Sequence, residues 1–165
     1  MTLAEHQRAM RDLIQGRAVA PDPYVEMAGR SIGLDVTRDT IRGWRVFRLA
    51  QSCRLTTAAL RDRGRLDEVL AVVERPPVSP FIEEMASAFL DAAATLGDEV
   101  VTSVAAFERA LLRDEATETS VDWPCNPYDV LAPLLQGGPL PPLAYVPHRT
   151  LVSRSIPGRF RIVAI

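Results

Sequence analysis

The side chains best suited to metal binding or nucleophilic chemistry in this sequence are two histidines, His6 and His148, and two cysteines, Cys53 and Cys125. A zinc site usually takes four such ligands in closely spaced pairs, and these four residues form no such pair. No histidine lies near Cys53 in the sequence to activate its thiol, and there is no glycine-rich phosphate loop or nucleophile elbow. We therefore predict no catalytic residue, no metal site and no cofactor in this chain.

The adjacent acids Glu83 and Glu84 are the remaining candidates for acid–base chemistry. Neighbouring residues on a helix point about 100° apart, so their carboxyl groups do not converge on one substrate atom. Both follow Ser79 and Pro80, residue types that favour the N-cap and the first helical position. Because the positive end of a helix dipole attracts acidic side chains, we assign both glutamates to the first turn of a helix.

Residues 38–65 form the most strongly charged stretch, with eight arginines against two acidic residues. At helical spacing, Ile41, Trp44 and Phe47 make one apolar face, which we expect to lie in the core beside a basic face. Residues 66–118 carry a net charge of −9, so this basic segment and the acidic one are expected to pack side by side. The basic face consists of Arg38, Arg42, Arg45 and Arg48.

Composition and length are typical of one globular domain or two small ones. The chain has 165 residues, of which 47% are hydrophobic, and this is enough to bury a core. Two cysteines far apart in sequence do not make a disulfide framework, so reduced thiols and a cytoplasmic location are expected. The sequence has no apolar run of transmembrane length and no signal-peptide pattern, which predicts a soluble protein without membrane contact.

Helical periodicity and helix-ending glycines predict an all-helical domain over residues 1–115. The expected helix starts include Asp22, which precedes a proline, and Thr37, which opens the arginine-rich segment. In the last helix of this domain, Glu108 is expected on the polar face.

Residues 116–165 differ in composition, because eight of the thirteen prolines fall there. Such a density of proline argues against long helices. One short helix is expected after an N-cap at Asn126, and residues 120–123 form a candidate strand. The predicted fold class is therefore α+β, with an N-terminal helical domain followed by a small module that contains a short helix and a two- to three-stranded antiparallel sheet.

The last part of this module reads as a β-hairpin. Residues 143–153 are rich in β-forming residues, residues 159–164 alternate with period two, and Pro157-Gly158 suits a tight turn between them. Pro147 predicts that the first of these strands lies at a sheet edge or a bulge. An edge strand can accept an extended peptide as an additional strand. The alternative is that the hairpin only covers the helical domain.

Several segments resemble the small partner subunits of multinuclear iron TIM-barrel enzymes in ribosomal peptide natural-product biosynthesis, such as those of the methanobactin and 3-thiaglutamate pathways. The resemblance covers most of the chain and lies in helix-packing and turn residues. It continues through a tail that includes Trp123, Tyr145, Pro157 and Phe160. The N-terminal segments that carry it are WRVFRL at 44–49, CRLTT at 53–57, PVSPFIEE at 77–84 and AAFERAL at 105–111.

This resemblance implies a non-catalytic accessory subunit. The iron and the oxidative chemistry would belong to the barrel enzyme, with which this chain would form a heterodimer. The small subunit would hold the leader of a precursor peptide, so that delivery of a distant cysteine becomes intramolecular. The compatible modifications are excision of a cysteine carbon in 3-thiaglutamate formation and conversion of cysteine to an oxazolone-thioamide.

The resemblance also implies binding roles for specific residues. The strand at 143–153 would be the edge to which the leader adds, with Arg149 and Arg154 available to acidic leader side chains. The predicted peptide-binding residues are Tyr145, His148, Arg149, Thr150, Leu151, Val152, Ser153 and Arg154. The predicted contacts with the barrel enzyme are Arg42, Trp44, Arg45 and Arg48.

The principal alternative is a DNA-binding transcriptional regulator, because the N-terminal pattern also resembles a family of proposed DNA-binding domains. Clustered arginines in residues 38–65 can contact phosphates. A net charge of −2, a pI near 5.7 and the lack of helix-turn-helix spacing argue against this alternative. A free-standing enzyme is the third hypothesis and has the least support.

Overall fold

The computed structural model describes residues 2–15, 17, 19, 23–74, 81–113 and 117–163. These residues form helices followed by a small antiparallel sheet, which confirms the predicted α+β class. The helices are α1 (Leu3–Ile14), α2 (Pro23–Gly29), α3 (Ile32–Ser52), α4 (Arg54–Asp62), α5 (Leu66–Val73), α6 (Ile82–Ala94), α7 (Glu99–Arg113) and α8 (Pro127–Gln136). The strands are β1 (Thr119–Trp123), β2 (His148–Val152) and β3 (Phe160–Val163). None of the described helices combines the length and apolarity needed to cross a lipid bilayer.

Helix α3 begins earlier than predicted. The Ser31 hydroxyl accepts a hydrogen bond from the Gly33 N–H at 3.2 Å, so Ser31 caps this helix. Thr37, the predicted cap, lies inside α3 and donates its hydroxyl proton to the Gly33 carbonyl at 2.7 Å. Both residue types are good N-caps. The backbone is extended at Ser31, as at most N-caps, and the helix begins there. The predicted caps at Asp22 and Ser79 lie outside the described residues.

One hydrophobic core contains side chains from both predicted domains. Phe107 of α7 lies between Trp123 of β1 and Phe160 of β3, with ring centroids 5.6 and 5.1 Å apart and edge-to-face geometry in both pairs. The Trp123 Nε1–H donates to the Thr150 hydroxyl at 3.0 Å, which satisfies two buried polar groups. The sheet is therefore packed directly on α7.

The sheet order corrects the prediction that residues 143–153 form an edge strand. The order is β1-β2-β3, and both pairings are antiparallel, so β2 is the central strand. β2 begins at His148, directly after Pro147, and the proline therefore removes no donor from the ladder. Strand order depends on long-range packing, and the position of a proline does not reveal it.

In the C-terminal part, α8 and the turn before β3 lie where they were predicted, whereas β2 covers only the second half of the predicted strand 143–153. Asn126 caps α8 by accepting the Tyr128 N–H at 3.1 Å. The turn at Pro157-Gly158 is closed by a 2.8 Å hydrogen bond from the Arg159 N–H to the Ile156 carbonyl. Gly158 has a φ of 74°, which the second central position of a type II turn requires.

Glu108 is buried and does not lie on a polar face as predicted. Only 5% of its surface is exposed, and its carboxylate accepts the Leu55 N–H at 2.8 Å and the Thr56 N–H at 2.9 Å. These amides belong to the first turn of α4, which follows α3 after a bend at Cys53 and has no N-cap side chain of its own. A carboxylate from α7 therefore caps α4 across the core.

Both cysteines are buried free thiols, and we expect them to resist alkylation in the folded protein. Burial, together with the nearby Glu108 carboxylate, raises the pKa of Cys53 to about 12. At pH 8 only about one thiol in ten thousand would be ionised at such a pKa, and only the thiolate reacts. Treatment with iodoacetamide followed by mass spectrometry should show no adduct on Cys53 without denaturant and full modification in urea. Rapid modification of the native chain would contradict this expectation.

Candidate functional site

β3 has an open backbone edge. The Ser153 N–H donates to the Arg159 carbonyl at 2.9 Å, and bonded and non-bonded residue pairs alternate along an antiparallel ladder. Every second residue of β3 therefore bonds to β2, while the N–H and C=O groups of Phe160 and Ile162 point away from the sheet. No described strand pairs with this side of β3. Phe160 and Ile162 are thus available for main-chain pairing from outside.

The opposite edge of the sheet, at β1, is partly covered. The same alternation directs the main-chain groups of Ser120 and Asp122 away from β2. The Asp122 carbonyl accepts a 2.8 Å hydrogen bond from the hydroxyl of Ser103 on α7. Within the described residues, the Asp122 carbonyl is therefore occupied, while the main-chain groups of Ser120 have no partner strand.

The backbone of the predicted peptide-binding strand is already used within the sheet. β2 pairs with β1 on one side and with β3 on the other, so a further strand cannot add to it. Thr150, Val152 and Ser153 are buried. Thr150 and Val152 pack against the core side of the sheet. The Ser153 hydroxyl instead accepts the Ser155 N–H at 3.2 Å, in the turn after β2. A role in peptide binding stays a prediction for all three.

The other predicted peptide-binding residues surround the sheet. Arg149 is exposed and forms a 2.6 Å ion pair with Asp122, and this contact raises the pKa of its guanidinium. Tyr145 is exposed in the segment before β2, and Arg154 is exposed in the turn after it. His148 and Leu151 are half-buried at opposite ends of β2. A role for any of them in peptide binding stays a prediction.

Helix α3 exposes two of the three apolar residues that were expected in the core, whereas the third, Ile41, is half-buried and lines a cavity against α1. Trp44 is 61% exposed and Phe47 is 54% exposed, and their rings form an edge-to-face pair with centroids 5.7 Å apart. Ile32 and Val36 are also exposed and fall in the same arc of about 120° on the helix surface. We call these four residues the α3 stripe. The core is instead contacted by the opposite side of α3, through a second apolar set that includes Leu49.

The predicted barrel contacts lie on different sides of α3. Arg42 reaches α5 and pairs with Glu74 at 2.8 Å. Arg45 is half-buried and lines a cavity against α1. Arg48 is exposed one turn beyond Trp44, so only these two of the four residues lie next to each other on an open face.

The basic and acidic segments pair with each other, as expected. Besides the Arg42 contact, Arg63 lies 3.1 Å from Asp98 and Arg65 lies 2.8 Å from Glu68. Each of these arginines is paired with an acidic residue and is therefore less available to contact the phosphates of a nucleic acid. Among the residues that the structure describes, no three or more His, Cys, Asp and Glu side chains cluster closely enough to hold a metal ion.

Sequence reasoning missed the open edge of β3, the buried carboxylate of Glu108 and the outward orientation of the α3 stripe. For Glu108 the signal was present, because it follows Val104 by four residues and precedes Leu111 by three and so lies on the apolar side of α7. Comparison with known proteins adds no further assignment: the chain matches no family model, and no curated protein or solved structure is significantly similar to it.

Proposed function

We propose that this chain is a non-catalytic subunit that binds the leader of a ribosomally synthesised precursor peptide and presents its cysteine to an iron-dependent TIM-barrel enzyme. The sequence resemblance described above supports the class of partner and substrate. Iron, and the oxidation that it supports, would reside in the partner. A complex of this kind would act in the bacterial cytoplasm, where precursor peptides are made.

The observation that carries this proposal is the open edge of β3. Strand addition needs a row of unpaired main-chain groups, and Phe160 and Ile162 supply two donors and two acceptors. Main-chain pairing gives affinity, while side chains that alternate along the leader give specificity. The prediction from sequence placed the leader beside β2, and we now propose that it binds beside β3.

The α3 stripe supports docking on a protein partner. Tryptophan is among the side chains most enriched at the energetic centre of protein interfaces, and phenylalanine is also enriched in interface cores. The α3 stripe consists of two apolar pairs, Ile32 with Val36 and Trp44 with Phe47, about 12 Å apart on one helix face, and only the second pair is aromatic. Arg48 at its margin can form charged contacts around an apolar centre.

Co-expression with a neighbouring iron barrel enzyme, followed by affinity capture and metal analysis, tests the proposal as a whole. The expected result is a stoichiometric complex that contains iron and binds the leader of the neighbouring precursor peptide. A chain that remains alone and instead retains duplex DNA would contradict the proposal and support the regulator.

Trp44→Ser is expected to weaken binding to the barrel enzyme by at least about 30-fold, because a central aromatic anchor is worth about 2 kcal/mol or more. Leu135→Ser is the matched control, since Leu135 is an exposed apolar residue on α8, far from α3 in sequence. Isothermal titration calorimetry with the purified barrel enzyme measures both affinities. Equal affinities for the two variants would show that the α3 stripe does not contribute to the interface.

A further inference from the structure

Helices α6 and α7 enclose a groove that the proposed function does not use. Two adjoining cavities of ≈ 340 and ≈ 250 Å³ share Leu90, Arg109 and Arg113 as lining residues, so they form one continuous depression. Small side chains leave this space open between the helices, among them Ala86 on α6 and Ala110 on α7. We call it the α6–α7 groove.

Two arginines lie at the centre of the groove, one helical turn and about 6 Å apart along α7. The Arg109 Nη2 is held by Asp91 at 2.6 Å, while its Nε is buried and has no hydrogen-bond partner among the described residues. Arg113 makes no hydrogen bond or ion pair with the described residues. The exposed Arg113 guanidinium therefore has unused donors, whereas the buried Nε of Arg109 is closed to a ligand from outside. A carboxylate between the two guanidinium groups would supply acceptors for both.

The walls of the groove restrict where an anionic ligand can lie. Leu90 and Leu112 provide apolar surface beside the arginines. Glu83 lines the end away from the sheet and disfavours a second negative charge there. An occupant that fits these walls carries one acidic group with apolar groups next to it.

The other end of the groove opens at β1. Residues 119–121 line this end, and the main-chain groups of Ser120 point out of the sheet there. An N–H and a C=O beside a groove are the groups that an extended backbone pairs with. This end therefore favours a peptide over a small carboxylic acid.

We propose that the α6–α7 groove binds an extended peptide segment that places an aspartate or glutamate between Arg109 and Arg113 and an apolar side chain against Leu90 and Leu112. The site is separate from the edge of β3, so its test does not depend on whether the leader binds at β3.

Selection from a phage library of random dodecapeptides on the full-length chain tests this site. Enriched peptides are expected to contain an acidic residue with apolar neighbours. Fluorescein-labelled copies of them should bind Arg113→Glu at least about tenfold more weakly than wild type in anisotropy titrations, because a charge-assisted pair becomes a repulsive one. Replacing the acid of the peptide by its amide should cost a similar factor. Arg61→Glu is the matched control, since this exposed arginine on α4 does not line the groove, and its affinity should stay within about twofold.

Two kinds of result would overturn the proposal. Selection without enrichment, or without a preference for acidic residues, would show that the groove is not a peptide site. Selected peptides that bind Arg113→Glu as well as wild type but lose affinity for Ile162→Pro would lie at β3 and not in the groove.

Discussion

Replacing Glu108 with alanine should lower the free energy of unfolding by about 3 kcal/mol, because two buried N–H groups lose their only acceptor. The Leu55 and Thr56 amides begin α4, and no other side chain of the described residues caps that helix. Removing the buried carboxylate also removes the free-energy cost of its desolvation, which keeps the expected loss below the sum of two charged hydrogen bonds. Urea denaturation followed by circular dichroism measures the change.

Glu99→Ala is the matched control, because Glu99 is an exposed glutamate on the same helix. Its loss should cost no more than about 1 kcal/mol, the range of a charge near a helix N-terminus. Equal destabilisation by the two substitutions would mean that the Glu108 cap contributes little to folding.

Glu108→Gln isolates the effect of ionisation. Burial raises the pKa of Glu108 above its ordinary value of 4.5, and the hydrogen bonds from Thr56 and Leu55 oppose this shift. A carboxyl with a raised folded pKa contributes stability that is complete below its unfolded pKa and is lost as the pH rises through the folded pKa. The unfolding free energy of wild type minus that of Glu108→Gln should therefore decrease as the pH rises above about 4.5. A difference that grows with pH would show that the shift has the opposite sign.

Replacing Ile162 with proline should weaken leader binding by about 30-fold or more, because the open edge of β3 loses a main-chain donor and gains a ring that blocks pairing. The Ile162 N–H points away from β2, so the substitution removes no hydrogen bond within the sheet. Anisotropy titration of a labelled leader from the neighbouring precursor peptide measures the affinity.

Ile162→Ala separates loss of the backbone donor from loss of the side chain. It shortens the half-buried side chain but keeps the N–H, and its affinity for the leader should stay within about threefold of wild type. Circular dichroism and binding to the barrel enzyme should be unchanged for both variants. A similar loss of leader affinity in both variants would show that main-chain pairing at β3 is not the mode of binding.

Much of the local structure follows from short-range physics and was predictable. Asn126 before Pro127 begins α8, and Pro157-Gly158 makes the turn before β3, because capping and backbone preference act within a few residues. The start of α3 was predicted six residues late, since Ser31 and Thr37 are both good caps. Local preference alone does not choose between two such candidates.

The sequence pattern did not predict which way the candidate surfaces face. α3 carries two apolar sets on opposite sides, one with Leu49 and one with Trp44 and Phe47. Periodicity identifies both sets, but it does not say which one the rest of the chain covers. Helix α6 packs against one side of α3, and the Trp44–Phe47 pair on the other side is therefore left in solvent.

The sequence by itself determined the class of fold, the helix and strand types of most segments, and the charge balance between residues 38–65 and 66–118. These properties depend on composition, capping and periodicity, which neighbouring residues carry. Only the tertiary structure decided that β2 is central, that β3 is open and that Glu108 caps α4. Each of these three facts is a contact between residues far apart in sequence, so it depends on how the whole chain packs.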